Sequence, residues 1–154
     1  MKRVRQTRAA RLFTELLIEV FRLNGQLLAT GDRLTADLGL TSARWQVLGA
    51  VEQEVATVSQ IARSMGLQRQ SVQRLVDILS EEGIVECLPN PSHRRAKLVR
   101  VTASGRRVLE AVNGRQVEWS NRVTRGASAQ TLAAALATLR DLRGRLETDD
   151  ISDA

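Results

Sequence analysis

The stretch from Thr57 to Thr102 restricts the fold more than any other, because its apolar period changes at residues suited to making each change. Val72, Leu75, Val76 and Leu79 recur at i, i+3, i+4 and i+7, which predicts a helix with one buried stripe. Ahead of it, Thr57-Val58-Ser59-Gln60 has the form of a capping box, with Gln60 reaching back to the Thr57 backbone. Val58, Ile61, Ala62 and Met65 supply an apolar face for this first helix, and Gly66 can take the positive φ that stops it. Gly83 ends the second helix. A strand is expected over 84–88, a turn at Pro89-Asn90-Pro91-Ser92, and a returning strand over 98–101. His93, Arg94, Arg95 and Lys97 make the intervening loop basic.

The polar side of the second helix points to a partner. Arg69, Gln70, Gln73 and Arg74 lie off the buried stripe in its first turns, and Asp77, Glu81 and Glu82 follow later. Arg can pair with guanine edges and Gln with adenine edges in a major groove, and either can bond phosphate. A basic leading end suits a helix that enters DNA by its N-terminus. The alternative is a surface helix of mixed charge. Ala62, Gly66 and Val72 sit where a helix-turn-helix needs a small residue, a turn glycine and a buried apolar residue, a spacing that other helical hairpins share. The basic hairpin that follows makes the expected unit a winged helix.

At these residues the chain resembles the MarR family of bacterial transcription regulators, in GLQRQSVQRLVDILSEEGIVE and then NPSHRRAKLVRVTASG. The resemblance implies a recognition helix in the major groove, with Arg69, Gln70, Ser71, Gln73 and Arg74 facing the bases. It implies a wing whose Arg94 reaches the adjacent minor groove, supported by Arg95 and Lys97. Two positions depart from the family pattern. Gln68 stands where a Ser or Thr cap is usual, and His93 where the wing often has an Asp that orients a neighbouring arginine.

The charge is segregated. The chain of 154 residues carries a net charge of +6. Residues 1–11 hold Lys2, Arg3, Arg5, Arg8 and Arg11 without an acid, and residues 57–107 hold nine basic and four acidic side chains. The remainder is net acidic. An excess confined to an arm and to the groove-reading module fits an anionic partner. Catalysis has little to build on: one His and one Cys cannot close a zinc site, and no glycine-rich phosphate loop or cofactor motif is present. His93 is expected in solvent on the wing, and Cys87 as a packing residue of the first strand. A single cysteine allows no internal disulfide. No apolar run of membrane-spanning length or signal-peptide type is found, so a cytoplasmic protein is expected.

The flanks are helical. Leu12, Leu16, Val20, Leu23, Leu27, Leu34 and Leu38 mark one long helix from about Arg8, ended by Gly39, with a kink or close packing expected near Gly25 or Gly31. Thr41 caps a helix over about 42–53. Thr102 caps another, to about Thr124, with Val108, Ala111, Val112 and Val117 inward. Ser128 starts a last helix whose stripe is Leu132, Leu136, Leu139, Leu142 and Leu146, followed by an acidic tail. The expected fold is mainly α with a small β-hairpin wing. Residues 1–40 form the arm and an N-terminal dimerisation helix, 41–102 the winged module, and 103–154 the C-terminal dimerisation helices and tail. These stripes exceed what a module of some fifty residues can cover, and a homodimer solves that. It would set two recognition helices about one DNA turn, roughly 34 Å, apart on an inverted repeat. The alternative is a monomeric bundle with a wing. The resemblance further implies a crevice for a small, often aromatic ligand, for which Val20, Asn24, Arg44 and Trp45 are the candidates; Trp45 could equally be core. The expected function is a dimeric, sequence-specific transcriptional repressor responsive to such a ligand. The rival is a winged helix that coats DNA or binds protein without reading sequence.

Overall fold

The computed structural model describes residues 5–149, and these divide into two units, the second beginning at Val117. In the first unit the chain opens with α1 (Arg8–Thr35), whose N-cap Thr7 accepts the Ala10 N–H at 3.1 Å. A single 3-10 turn (Ala36–Leu38) follows, and Gly39, at φ 68°, reverses the chain. Then come α2 (Ser42–Ala50), β1 (Ala56–Thr57), α3 (Val58–Met65), α4 (Arg69–Glu81), β2 (Val85–Leu88) and β3 (Leu98–Val101). α5 (Ala103–Val123) starts in this unit, with Gly105 N–H donating to the Thr102 hydroxyl at 3.1 Å. The second unit holds the end of α5 and α6 (Ala129–Thr148), capped by Ser128. The arm residues Lys2 and Arg3 and the end of the acidic tail lie outside the described residues.

The core of the first unit is aliphatic. Val47 and Leu48 of α2, Ile61 and Ala62 of α3, Val72, Val76 and Leu79 of α4, Val85, Val99 and Val101 of the sheet, and Leu109 and Val112 of α5 form one buried cluster. Each fully buried valine, leucine or isoleucine of this cluster contributes about 1.5–3 kcal/mol. Trp45 packs partly buried against this cluster. α3 and α4 both end in Schellman turns: Leu67 N–H reaches Ala62 O at 2.8 Å, and Ile84 N–H reaches Leu79 O at 2.9 Å, with Gly66 and Gly83 at positive φ. The capping box of α3 is complete, with Gln60 N–H on the Thr57 hydroxyl and Thr57 N–H on Gln60 Oε1.

Several expectations are corrected. The sheet has three strands in the order β1-β3-β2: Ala56 pairs with Val99 and Thr57 with Leu98, so the residue that caps α3 also ends a strand. Two paired residues are too few to leave a periodic signal. α2 stops at Ala50 because Val51 turns inward, its N–H closing on Leu48 O at 3.1 Å. On α5 the inward residue is Leu109 rather than Ala111, while Val117 is exposed; on α3, Met65 is exposed and Leu67 packs instead. The close approach expected on α1 falls at Gly31, where a Cβ would collide with the Ser42 hydroxyl; nothing approaches Gly25. Ser42 is buried there, its N–H bound to Asp32 Oδ1 at 2.7 Å.

Candidate nucleic-acid interface

With Val72, Val76 and Leu79 turned into the core, helical geometry leaves Arg69, Gln70, Ser71, Gln73 and Arg74 outward, and all five are exposed. The N-cap Gln68 makes no side-chain capping bond, as its departure from Ser or Thr implies. Gln73 Nε2 donates to Asp77 Oδ1, one turn later, at 2.8 Å. On the wing, Asn90 Oδ1 accepts the Ser92 N–H at 3.0 Å and His93 N–H returns to Asn90 O at 3.2 Å, so the predicted turn cluster is a closed turn. His93, Arg94, Arg95 and Lys97 are all exposed beyond it. On the hairpin, Arg100 pairs across to Glu86 at 3.0 Å, which removes one cation from the set free to meet a ligand.

The helix and the wing share a cleft of about 250 Å³. Arg69 and Gln73 of α4 line one side and Arg95, Ala96 and Lys97 the other, with the first turn of α3 (Thr57, Val58, Ser59) and Cys87 completing it. Three cations and no carboxylate face this space. Thr57 and Ser59 are the contributors that sequence reasoning missed as site residues; their signal was the capping box, which places an α3 start beside the wing. Cys87 is corrected as well. It shares a sheet face with Val85 but is exposed and opens into the cleft, so it is not a packing residue.

The four ligand candidates are not gathered in the same way. Arg44 is bound already: its Nη1 lies 2.9 Å and 3.2 Å from the two Glu82 oxygens and 3.1 Å from Gly39 O. That ties the head of α2 to the C-cap of α4. Val20 and Asn24 are exposed on α1, which meets Ser42 at Leu28, Gly31 and Asp32. At 1.5 Å per residue, Asn24 lies roughly 6 Å and Val20 roughly 12 Å along the helix from Leu28. A second tie holds the C-terminal end of α1. Arg115 of α5 donates to Leu34 O at 2.9 Å and to both Asp37 oxygens, and this bonding holds the Asp37 carboxyl below its ordinary pKa of 3.8.

A profile of the MarR family matches residues 38–96, the span from the end of the 3-10 turn through α4 to the wing loop. The chain belongs to the MarR family. It is a winged-helix, DNA-binding transcriptional regulator, and the family is one of regulators rather than enzymes. An uncharacterised protein of Mycobacterium tuberculosis is 39% identical over 125 residues, 81% of this chain and 87% of its own. The transcriptional activatory protein BadR of Rhodopseudomonas palustris is 32% identical over 105 residues, 66% of this chain and 60% of its own. Among solved structures, CouR of Rhodococcus jostii RHA1, bound to p-coumaroyl-CoA, superposes with a TM-score of 0.74 at 28% identity, covering 82% of this chain and 90% of CouR. No helix among the described residues is long and apolar enough to cross a membrane.

Proposed function

We propose that this MarR-family regulator works in the cytoplasm as a homodimeric repressor that reads an inverted-repeat operator. Arg69, Gln70, Ser71, Gln73 and Arg74 read the major groove, and Arg94 enters the flanking minor groove. The observation that carries the reading is the cationic cleft. A duplex with α4 in one groove and the wing in the next must run the backbone strand that separates them between the two, where Arg95 and Lys97 meet it while Arg69 reaches past it to the bases. The basic arm adds backbone contacts. Residues 1–40 and 103–154 provide the dimer contacts, because α1 and α6 each carry an apolar face that their own unit does not cover; Phe21 is 73% exposed. A second copy covers each face.

An aromatic effector is supported by CouR, whose ligand is an aromatic thioester. Its entry is the α1–α2 region of Val20, Asn24, Arg44 and Trp45. Because Arg44 bonds the residue that ends α4, a ligand competing for Arg44 would alter the recognition helix; it releases DNA only by binding the non-operator geometry more tightly. The likeness to BadR, a transcriptional activatory protein, makes activation the second reading. Selection from a random duplex pool at physiological salt tests the core claim. Enrichment of an inverted repeat with half-sites about one turn apart is expected. Uniform, steeply salt-dependent binding without a motif would replace this reading with DNA coating. A reporter fused to the selected site then separates repression from activation.

A further inference from the structure

We infer that Asp77 is a positioning residue that makes Gln73 a reader of adenine, an inference that rests on α4 facing the major groove. A glutamine amide is ambiguous by itself: its oxygen accepts, its nitrogen donates, and a half-turn of the terminal torsion exchanges them. Next to Asp77 the exchange is disfavoured. An ionised carboxylate only accepts, so the nitrogen must face Asp77, as the 2.8 Å bond from Nε2 to Oδ1 has it. The flipped amide would set oxygen against oxygen.

This bond uses one of the two N–H groups. With the N–H trans to the carbonyl given to Asp77, the cis N–H and the carbonyl oxygen share the free edge of the amide, and Gln73 makes no further side-chain hydrogen bond among the described residues. That edge offers one donor beside one acceptor in fixed order. Adenine presents the complement in the major groove, the N7 acceptor beside the N6 amine. Guanine presents two acceptors, N7 and O6, so its O6 would meet the amide oxygen. Both side chains are exposed and project from the groove-facing side of α4, clear of the buried Val72, Val76 and Leu79. The acid in the recognition helix therefore has a task that its charge alone would not suggest: near phosphate an acid weakens binding, and here it fixes the sense of a base contact.

The test takes the site recovered by selection and measures binding to duplexes carrying each of the four bases at every half-site position, for the parent and for Gln73→Ala, Asp77→Ala, Asp77→Asn and the double Gln73→Ala/Asp77→Ala variant. In the parent, one position should prefer adenine to guanine and lose that preference in Gln73→Ala. Asp77→Ala should lower the same preference severalfold, part of the roughly five- to hundredfold that one bidentate base contact confers. The remaining positions should keep theirs. Asp77→Asn, which can accept or donate, should fall between parent and Asp77→Ala. The double variant should match Gln73→Ala at that position, because Asp77 acts through Gln73. Unchanged thermal melting of the variants separates positioning from folding. An unaltered preference in Asp77→Ala, an equal shift at all positions, or a Gln73-dependent position that does not favour adenine overturns the inference and leaves the operator-reading function standing. Failure of the parent to select any motif overturns that function itself.

Discussion

In the winged module, the valines and leucines chosen by the helical period are covered by the chain's own neighbours. On α6 the same period chooses leucines that its own unit leaves open. Val72, Val76 and Leu79 are 0% exposed, whereas Leu132, Leu136, Leu139 and Leu146 are between 42% and 55% exposed. The two stripes are indistinguishable in sequence. A period states which face of a helix is apolar; what covers that face depends on elements elsewhere, in this chain or in another. The difference separates a helix whose apolar stripe its own unit covers from one whose stripe its own unit leaves open.

The largest effect should come from breaking the covered stripe. Leu79→Ala leaves a cavity between α4 and its neighbours and should cost about 2–5 kcal/mol, read as a fall in melting temperature. Leu139→Ala should leave the module's melting intact in dilute protein and weaken self-association instead. Equal destabilisation of the dilute chain by both would erase the distinction. Next is Gly105→Ala. The new Cβ would collide with the Ile84 carbonyl, whose oxygen is held by the Thr102 N–H, and come within 2.7 Å of Val101 Cγ1. A loss of about 1–3 kcal/mol is expected in the same melting assay. Gly49→Ala on α2, with nothing within 4 Å, is the control and should gain about 1 kcal/mol or less.

The module's outer surface sharpens the contrast by function. Arg69→Ala should cost about 1–3 kcal/mol on the selected site and relax its specificity. Arg95→Ala should weaken binding to every sequence and lower the log–log salt slope by about one. Parallel losses on specific and random DNA in both variants would refute the division between base reading and backbone anchoring. A smaller effect is expected at the uncapped start of α4, where Gln68→Ser supplies the missing acceptor and should stabilise by about 1 kcal/mol or less. The smallest is the pH response of the Asp37–Arg115 pair. Its depressed carboxyl contributes stability above the ordinary carboxylate range and loses it as pH falls through the lowered value. Asp37→Asn should therefore narrow the difference in melting temperature between neutral and acid solution.

The module was legible in the sequence because its determinants are local: a capping box, two turn glycines, and the helical period of one stripe. The rest depends on partners distant in the chain. β1 is two residues long and exists only because β3 lies beside it. Leu109 rather than Ala111 joins the cluster that holds Val85, Val99 and Val101 of the sheet, and Cys87 opens into a cleft that α3, α4 and the wing line together. The ties from Arg44 to Glu82 and from Arg115 to Asp37 join residues 38 and 78 positions apart, beyond any pattern of spacing. Among the site candidates, Arg69, Gln70, Gln73 and Arg74 could be placed off the buried stripe of α4 from the period, and Ser71 joined them through the family resemblance. The geometry of this set with the wing, and the orientation of Gln73 by Asp77, needed coordinates.

The claim on which the account turns is that the open stripes of α1 and α6 meet their like in a second chain. Sedimentation equilibrium at micromolar concentration tests it directly. The account predicts a single species of twice the 17.0 kDa chain mass, dissociating in Leu139→Ala. A clean 17.0 kDa species for the parent would contradict it, and the paired recognition helices would have to be abandoned with it.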